Sequence, residues 1–201
     1  MRTIRLATPA DAGQIVGIYA PIVRDTAISF EAEPPDGAAM AARIAAALEV
    51  APWLCCVEPD GRGAERLLGY AYATRHRDRA AYAWCADVSV YVRDGLRRGG
   101  IGRALYGALL PMLVRQGFRA AHAGIALPNA GSVGLHEACG FRLVGVYPKV
   151  GWKLGAWHDV GWWQAELGDR TGPPPPLLAP GALRGDPRWG AALSAASASL
   201  G

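Results

Sequence analysis

The chain has 201 residues, 51% hydrophobic and 19% charged, and a formal net charge of +4. This is the make-up of a globular domain with a real core, and it excludes a disordered or fibrous chain; the length does not force a second domain. No apolar run approaches about 18 residues, and MRTIRLATPADAG lacks an apolar h-region and a cleavage site, so neither membrane insertion nor export is signalled and the cytoplasm is the expected location.

Thr3 to Ala7 reads as a strand, and Thr8-Pro9-Ala10-Asp11 as a helix start with proline at the first helical position, the helix running to about Arg24. After a short extended stretch at Thr26 to Phe30, Pro34-Pro35-Asp36 opens an alanine-rich helix that reaches about Leu48. Trp53 to Val57 and Leu67 to Thr74 are strands joined by the turn-rich PDGRGAE, and Asp87 to Val92 is a third, broken by Arg93-Asp94-Gly95. Apolar residues then recur at 101, 104, 105, 108, 109, 112 and 113, one face of a helix that Pro111 should bend rather than stop. Ala120 to Ile125 is a strand, Asn129 to Cys139 a short helix closed by Gly140, and Phe141 to Val150 and Val160 to Glu166 a final strand pair. Beyond Gly168 the stretch TGPPPPLLAPGALRGDP cannot hold a ladder, so residues 169–201 read as a Pro/Gly/Ala-rich tail, with room for a short helix opening at Asp186-Pro187. The order predicts an α/β chain, a mixed sheet with helices on its faces, within residues 1–168.

Two stretches carry chemistry. The first is Arg97-Arg98-Gly99-Gly100-Ile101-Gly102, between a strand and a helix. Glycines there clear side chains from a helix start, so unpaired N–H groups and the positive helix end can meet a large anion such as a phosphate. A dinucleotide fingerprint would need glycine at Leu105, and a P-loop would need Gly-Lys-Ser/Thr, so both readings fail. The second is LPNAGSVGLHEACGF, in which Asn129, Ser132 and His136 share one helix face. Ala130 removes a serine-hydrolase elbow, Gly140 stands where a zincin needs its second histidine, and Cys139 lies away from the polar face. Ordinary helices also carry polar faces, and a lone histidine is commonly a packing residue. Cys55, Cys56, Cys85 and Cys139 form no regular framework, which predicts reduced thiols and no metal site. The basic clusters Arg75 to Arg79 and Arg93 to Arg103 suit a small anionic ligand better than a nucleic-acid track.

Taken together, SVYV, RRGGIGRALYGALL, LPNAGSVGLHEACGF and WKLGAWHDVGWWQAEL make the chain, over roughly Arg2 to Leu167, resemble the phosphinothricin and methionine-sulfoximine branch of the GNAT N-acetyltransferases. The resemblance implies the GNAT fold, acetyl-CoA as cosubstrate, no metal, a homodimer, and direct acetyl transfer to the α-amine of a small amino acid or analogue, as in antibiotic or herbicide resistance. On that basis Arg97, Arg98, Gly99, Gly100, Ile101 and Gly102 would bind the pyrophosphate, Val90, Tyr91 and Val92 would pair with the pantetheine arm, and Asn129 and Ser132 would hold it from the other side. Asp87, where the branch usually has glutamate, would be the base, through water if its shorter side chain demands it, and His136 would protonate the departing thiolate or share the base role. Arg79 is the positional match for the arginine that holds the acceptor's carboxylate, with Arg75 and Arg77 as rivals, while Phe30, Tyr82 and Trp84 could wall the pocket. His158 is expected to be architectural or at the dimer seam. Two other readings stay open: a silent CoA-binding module, and an enzyme acting on a protein N-terminus, a polyamine or an antibiotic.

Overall fold

A computed structural model describes residues 1–200. Its strands are β1 (Thr3–Leu6), β2 (Trp53–Pro59), β3 (Glu65–Arg75), β4 (Cys85–Val92), β5 (Ala120–Leu127), β6 (Arg142–Lys153) and β7 (Ala156–Glu166). They form a seven-stranded sheet in the order β1-β2-β3-β4-β5-β7-β6. All neighbours are antiparallel except β4 and β5. The helices are α1 (Ala12–Asp25), α2 (Gly37–Leu48), α3 (Ile101–Gln116), α4 (Ala130–Ala138), α5 (Pro180–Leu183) and α6 (Pro187–Ala198).

Strand β2 shows how the sheet acquires two covered faces. Its residues 53 to 57 are buried without exception, so this stretch is apolar throughout instead of alternating. Leu54 and Cys56 enter a cluster with Leu105, Leu109 and Met112 of α3. Trp53, Cys55 and Val57 enter a second cluster with Ile15 and Val23 of α1 and Ile44 of α2. Burial pushes the Cys56 thiol up to about 11, and the Cys55 thiol higher still, which keeps both unreactive at neutral pH.

Helix starts follow the residues that satisfy the first N–H groups. Asp36 accepts from Ala39 N at 2.7 Å and opens α2, and Asn129 accepts from Ser132 N at 3.1 Å and opens α4. Helix α3 continues through Pro111, and α1 carries a proline of its own at Pro21.

Two regions depart from the sequence reading. Strands β6 and β7 are longer than predicted: the WKLGAW segment is the tip of their hairpin, turning at Leu154 and Gly155, whose φ values of 50° and 76° are left-handed. Bulges between Leu143 and Gly145, and between Tyr147 and Gly151, interrupt the pairing, which hides the alternation. The second region is the tail. Its helices α5 and α6 lay Leu183, Trp189 and Ala196 into the α3 side of the core, and Ile4 N donates to Ser197 Oγ at 2.8 Å. No helix among the described residues is long and apolar enough to cross a membrane.

Candidate active site

The site is made by two strands that part. Parallel β4 and β5 pair only at Cys85↔Ala120, Ala86↔Ala121 and Asp87↔His122. Beyond Asp87 they diverge, leaving a slot lined by Val88 to Tyr91 on one side and Ala123 to Ala126 on the other, with Asn129, Ser132 and His136 of α4 along it and Ile28 from the α1–α2 loop over it. The backbone of Val90, Tyr91 and Val92 therefore has β3 on one side and no strand on the other, an edge open to an extended ligand.

Past Val92 the chain enters the glycine loop. Arg98 (φ 65°) and Gly100 (φ 77°) are left-handed, and the N–H groups of Arg97, Arg98, Gly99 and Gly100 make no hydrogen bond among the described residues. Ile101 begins α3 and is buried. Gly102 has a second reason to be glycine, since a Cβ there would lie 2.8 Å from Leu135 Cδ2, so its absence lets α4 approach α3. Arg97 and Arg98 are exposed.

At the other end of β4, Asp87 meets two residues that the sequence reading did not single out. His76 donates from Nδ1 to Asp87 Oδ1 at 2.7 Å, and its ring stacks on His122 with centroids 4.3 Å apart. His122 in turn donates from Nε2 to Gln164 Oε1 at 3.1 Å. Burial pushes the Asp87 carboxyl up, against the opposing pull of His76, Arg77 and His122. Burial, together with the nearby His76, holds His122 below the usual imidazole range. Ligand atoms of His76, Asp87 and His122 lie within 4.8 Å of one another. Imidazole lone pairs lie in the ring planes, however, and planes only 19° apart do not converge on one ion, so the trio is a hydrogen-bonded, stacked cluster.

His136 is placed differently from a free acid. It is 3% exposed, its Nδ1 donates to Ser132 O at 2.7 Å, and its Nε2 accepts from Tyr106 OH at 2.8 Å. Both nitrogens are engaged, which fixes the neutral tautomer and ties α4 to α3. Burial, opposed by the Ser132 carbonyl, holds its pKa down. The unfolded chain therefore takes up a proton near pH 6.5 that the folded chain refuses, so this contribution to stability is present above about pH 6.5 and is lost as pH falls towards the depressed value. Denaturant midpoints at pH 7.5 and 5.5 should show a drop in the wild type that shrinks in His136→Gln; an equal drop in both would assign the sensitivity elsewhere.

The three candidate arginines separate. Arg77 donates from Nη1 to His76 O at 2.7 Å, lies 3.9 Å from Asp87 Oδ2 and sits over the Trp162 ring, so it is already engaged. Arg79 is exposed and makes no ion pair among the described residues, just ahead of a short 3-10 turn at Ala80–Tyr82. Arg75 lines a cavity of about 370 Å³ between α2 and the sheet, together with Thr74, Tyr72, Trp53 and Met40. Thr74 pairs with Asp87 across the β3–β4 ladder, which sets this cavity beside the carboxylate. Of the aromatic candidates, Tyr82 faces the His76 ring edge-on, and Phe30 packs on Gly151 and near His158. Trp84 instead donates to Pro175 O at 2.7 Å and belongs to the tail contact. His158 donates to Lys153 O at 3.0 Å inside the hairpin, and Lys153 Nζ donates to Val23 O and Ser29 O, pinning the hairpin tip to the loop that carries Ile28 and Phe30.

A parallel strand pair that splays, a glycine loop at a helix start and a carboxylate at the vertex define an acyl-CoA-dependent acetyltransferase fold, and a family model described as the acetyltransferase (GNAT) domain matches residues 4–162. The chain belongs to that family. Within it, the chain is 39% identical over 174 residues to a phosphinothricin N-acetyltransferase of Alcaligenes faecalis, covering 85% of this chain and 86% of that one. It is also 35% identical over 166 residues to an L-methionine sulfoximine/L-methionine sulfone acetyltransferase of Pseudomonas paraeruginosa, covering 82% and 94%. Among solved structures, the phosphinothricin acetyltransferase of Sinorhizobium meliloti in complex with acetyl-CoA superposes with a TM-score of 0.80 at 34% identity, covering 87% of this chain and 93% of that one.

Proposed function

We propose that residues 1–168 transfer the acetyl group of acetyl-CoA to the α-amine of a small amino acid or analogue of the phosphinothricin and methionine-sulfoximine type, in the cytoplasm, so that the enzyme would confer resistance to such analogues. The observation that carries the reading is the slot itself. It opens at the Asp87↔His122 pair and runs along β4 to the glycine loop, a span of about 17 Å for five extended residues, enough to lay out a pantetheine arm between an acyl end and a diphosphate end. Unpaired N–H groups of residues 97 to 100 and the start of α3 take the diphosphate, the open edge of Val90 to Val92 pairs with the arm, and Asn129 and Ser132 border it. The Asp87 cluster removes the proton that the acceptor's ammonium must lose. His136, engaged on both nitrogens, acts by positioning α4. Arg75 takes the acceptor's carboxylate, because it is the arginine on the cavity next to Asp87, and Arg79 keeps its place at the rim.

Thiol release from acetyl-CoA, measured with a panel of free amino acids and their decarboxylated amines, tests this reading. Amino acids should be turned over well above the matching amines, because a bidentate arginine sets the distance from carboxylate to amine. Equal rates would remove the carboxylate clamp and favour a polyamine or aryl-amine acceptor.

We read the enzyme as a homodimer. Edge strand β6 and its turn expose Leu143, Val144, Tyr147, Trp152 and Leu154, and Trp157 of β7 lies beside them, 58% exposed. An apolar edge of this extent is an aggregation hazard unless another chain covers it. Sedimentation should give a dimer at micromolar concentration and a monomer for the double substitution Trp152→Glu, Trp157→Glu; a monomeric wild type would remove the proposal.

A further inference from the structure

We infer that His76 is the general base of this enzyme, with Asp87 as the group that orients it. The inference rests on the acetyltransferase reading above and deepens it. His76 lies one residue beyond β3, its N–H bonded to Cys85 O at 3.3 Å, so the strand pairing brings it beside Asp87. Its ring is held on three sides: stacked on His122, edge-on to Tyr82 and edge-on to Trp162. Nδ1 gives its proton to Asp87 Oδ1, which fixes the tautomer and leaves the Nε2 lone pair with no hydrogen-bond partner among the described residues. Asp87 itself is poorly placed to take a substrate proton, because Oδ1 is occupied by His76 and Oδ2 faces the Arg77 guanidinium. A carboxylate that accepts from one imidazole nitrogen while the other is free is the base-and-orienter pair of nucleophile activation.

The charged and titratable groups that face His76 are Asp87 from β4, Arg77 from its own loop, Tyr82 from the 3-10 turn and His122 from β5; β7 contributes only Trp162. Asp87 stabilises the imidazolium formed when Nε2 accepts a proton, and Arg77 limits that gain. His122, kept neutral by burial and by the adjacent ring, adds no opposing charge.

The step balances as follows. The acceptor ammonium gives one proton to His76 Nε2, and the freed nitrogen lone pair forms the N–C bond to the thioester carbonyl carbon. The tetrahedral adduct collapses, the C–S bond breaks with its electron pair on sulfur, and the nitrogen loses its second proton to become a neutral amide. Of the two protons released, one ends on the CoA thiolate and the other passes from His76 to solvent.

The test is His76→Ala with added imidazole, beside His76→Phe, which keeps a flat ring against His122 without a base. On the best amino-acid acceptor, both variants should lose about 10²-fold or more in kcat, with acetyl-CoA affinity unchanged. Imidazole should restore the Ala variant, not the Phe variant, and the rescue should grow with the basicity of substituted imidazoles. If the wild type turns over amino acids and both variants lose less than about threefold, the base assignment alone is overturned. Rescue that ignores basicity also overturns it, leaving His76 a positioning residue. A wild type that binds acetyl-CoA but acetylates no amine overturns the acetyltransferase reading, and the base with it.

Discussion

Asp87→Asn is expected to lower kcat by about 10²–10⁴-fold while leaving acetyl-CoA affinity unchanged, the range that a general acid–base system contributes. The amide has the shape of the carboxylate but no charge, so it neither takes a proton at neutral pH nor stabilises an imidazolium at His76. Its NH₂ can also donate to His76 Nδ1, which would place the imidazole proton on Nε2 and block the free nitrogen. Either consequence acts on the chemical step. The slot and the glycine loop lie further along β4 and keep their geometry, so calorimetric binding of acetyl-CoA should be preserved. With His76→Ala in the same chain the loss should not multiply, because two members of one proton relay fail together. A loss below about threefold would falsify a role for Asp87 in proton transfer and leave it a buried strand residue.

What the sequence made legible was local. The glycine loop, the periodicity of α3, and the spacing of Asn129, Ser132 and His136 are patterns within a dozen residues, and the element order followed from such patterns. The Asp87 cluster was not legible, because His76 and His122 come from either side of Asp87 in the sheet, on β3's exit and on β5, and only register sets them together. A signal existed: His122 is the one polar side chain in an apolar strand, and His76 stands at the exit of another, with no metal spacing to explain either. His136 lies on the α4 face beside Ser132, as the spacing predicts, but its partner Tyr106 sits on α3, and helix spacing alone does not show that both ring nitrogens are taken. Arg75, Arg77 and Arg79 could not be separated, since what distinguishes them is what each meets in space: the cavity for Arg75, His76 and Asp87 for Arg77, and solvent for Arg79. The β6–β7 hairpin was shortened for another reason: bulges and exposed aromatics break the alternation that marks a strand.

The C-terminal segment gives the largest expected effect on stability. Trp189 is 2% exposed and packs into the α3 side of the core, and the segment is tied at four further points. Asp186 accepts from Arg115 Nε at 2.7 Å, Gln116 Nε2 donates to Leu178 O at 2.9 Å, Trp84 Nε1 donates to Pro175 O, and Ile4 N donates to Ser197 Oγ. Trp189→Ala should therefore cost about 3–5 kcal/mol, the range for removing a buried aromatic ring, which for a chain of this size lowers Tm by about 10 °C. The indole Nε1 is buried without a partner among the described residues, and an unmade hydrogen bond costs about 1–3 kcal/mol. Trp189→Phe removes that donor while keeping most of the ring, so its net loss should be less than half that of the alanine variant. Helix α6 lies against α3 and β1, with β2 and β3 between β1 and the strand that borders the slot, so kcat per folded molecule should be unchanged in both variants. A loss under about 1 kcal/mol for Trp189→Ala would mean that α6 leaves the core in solution, and that the domain is complete at residue 168.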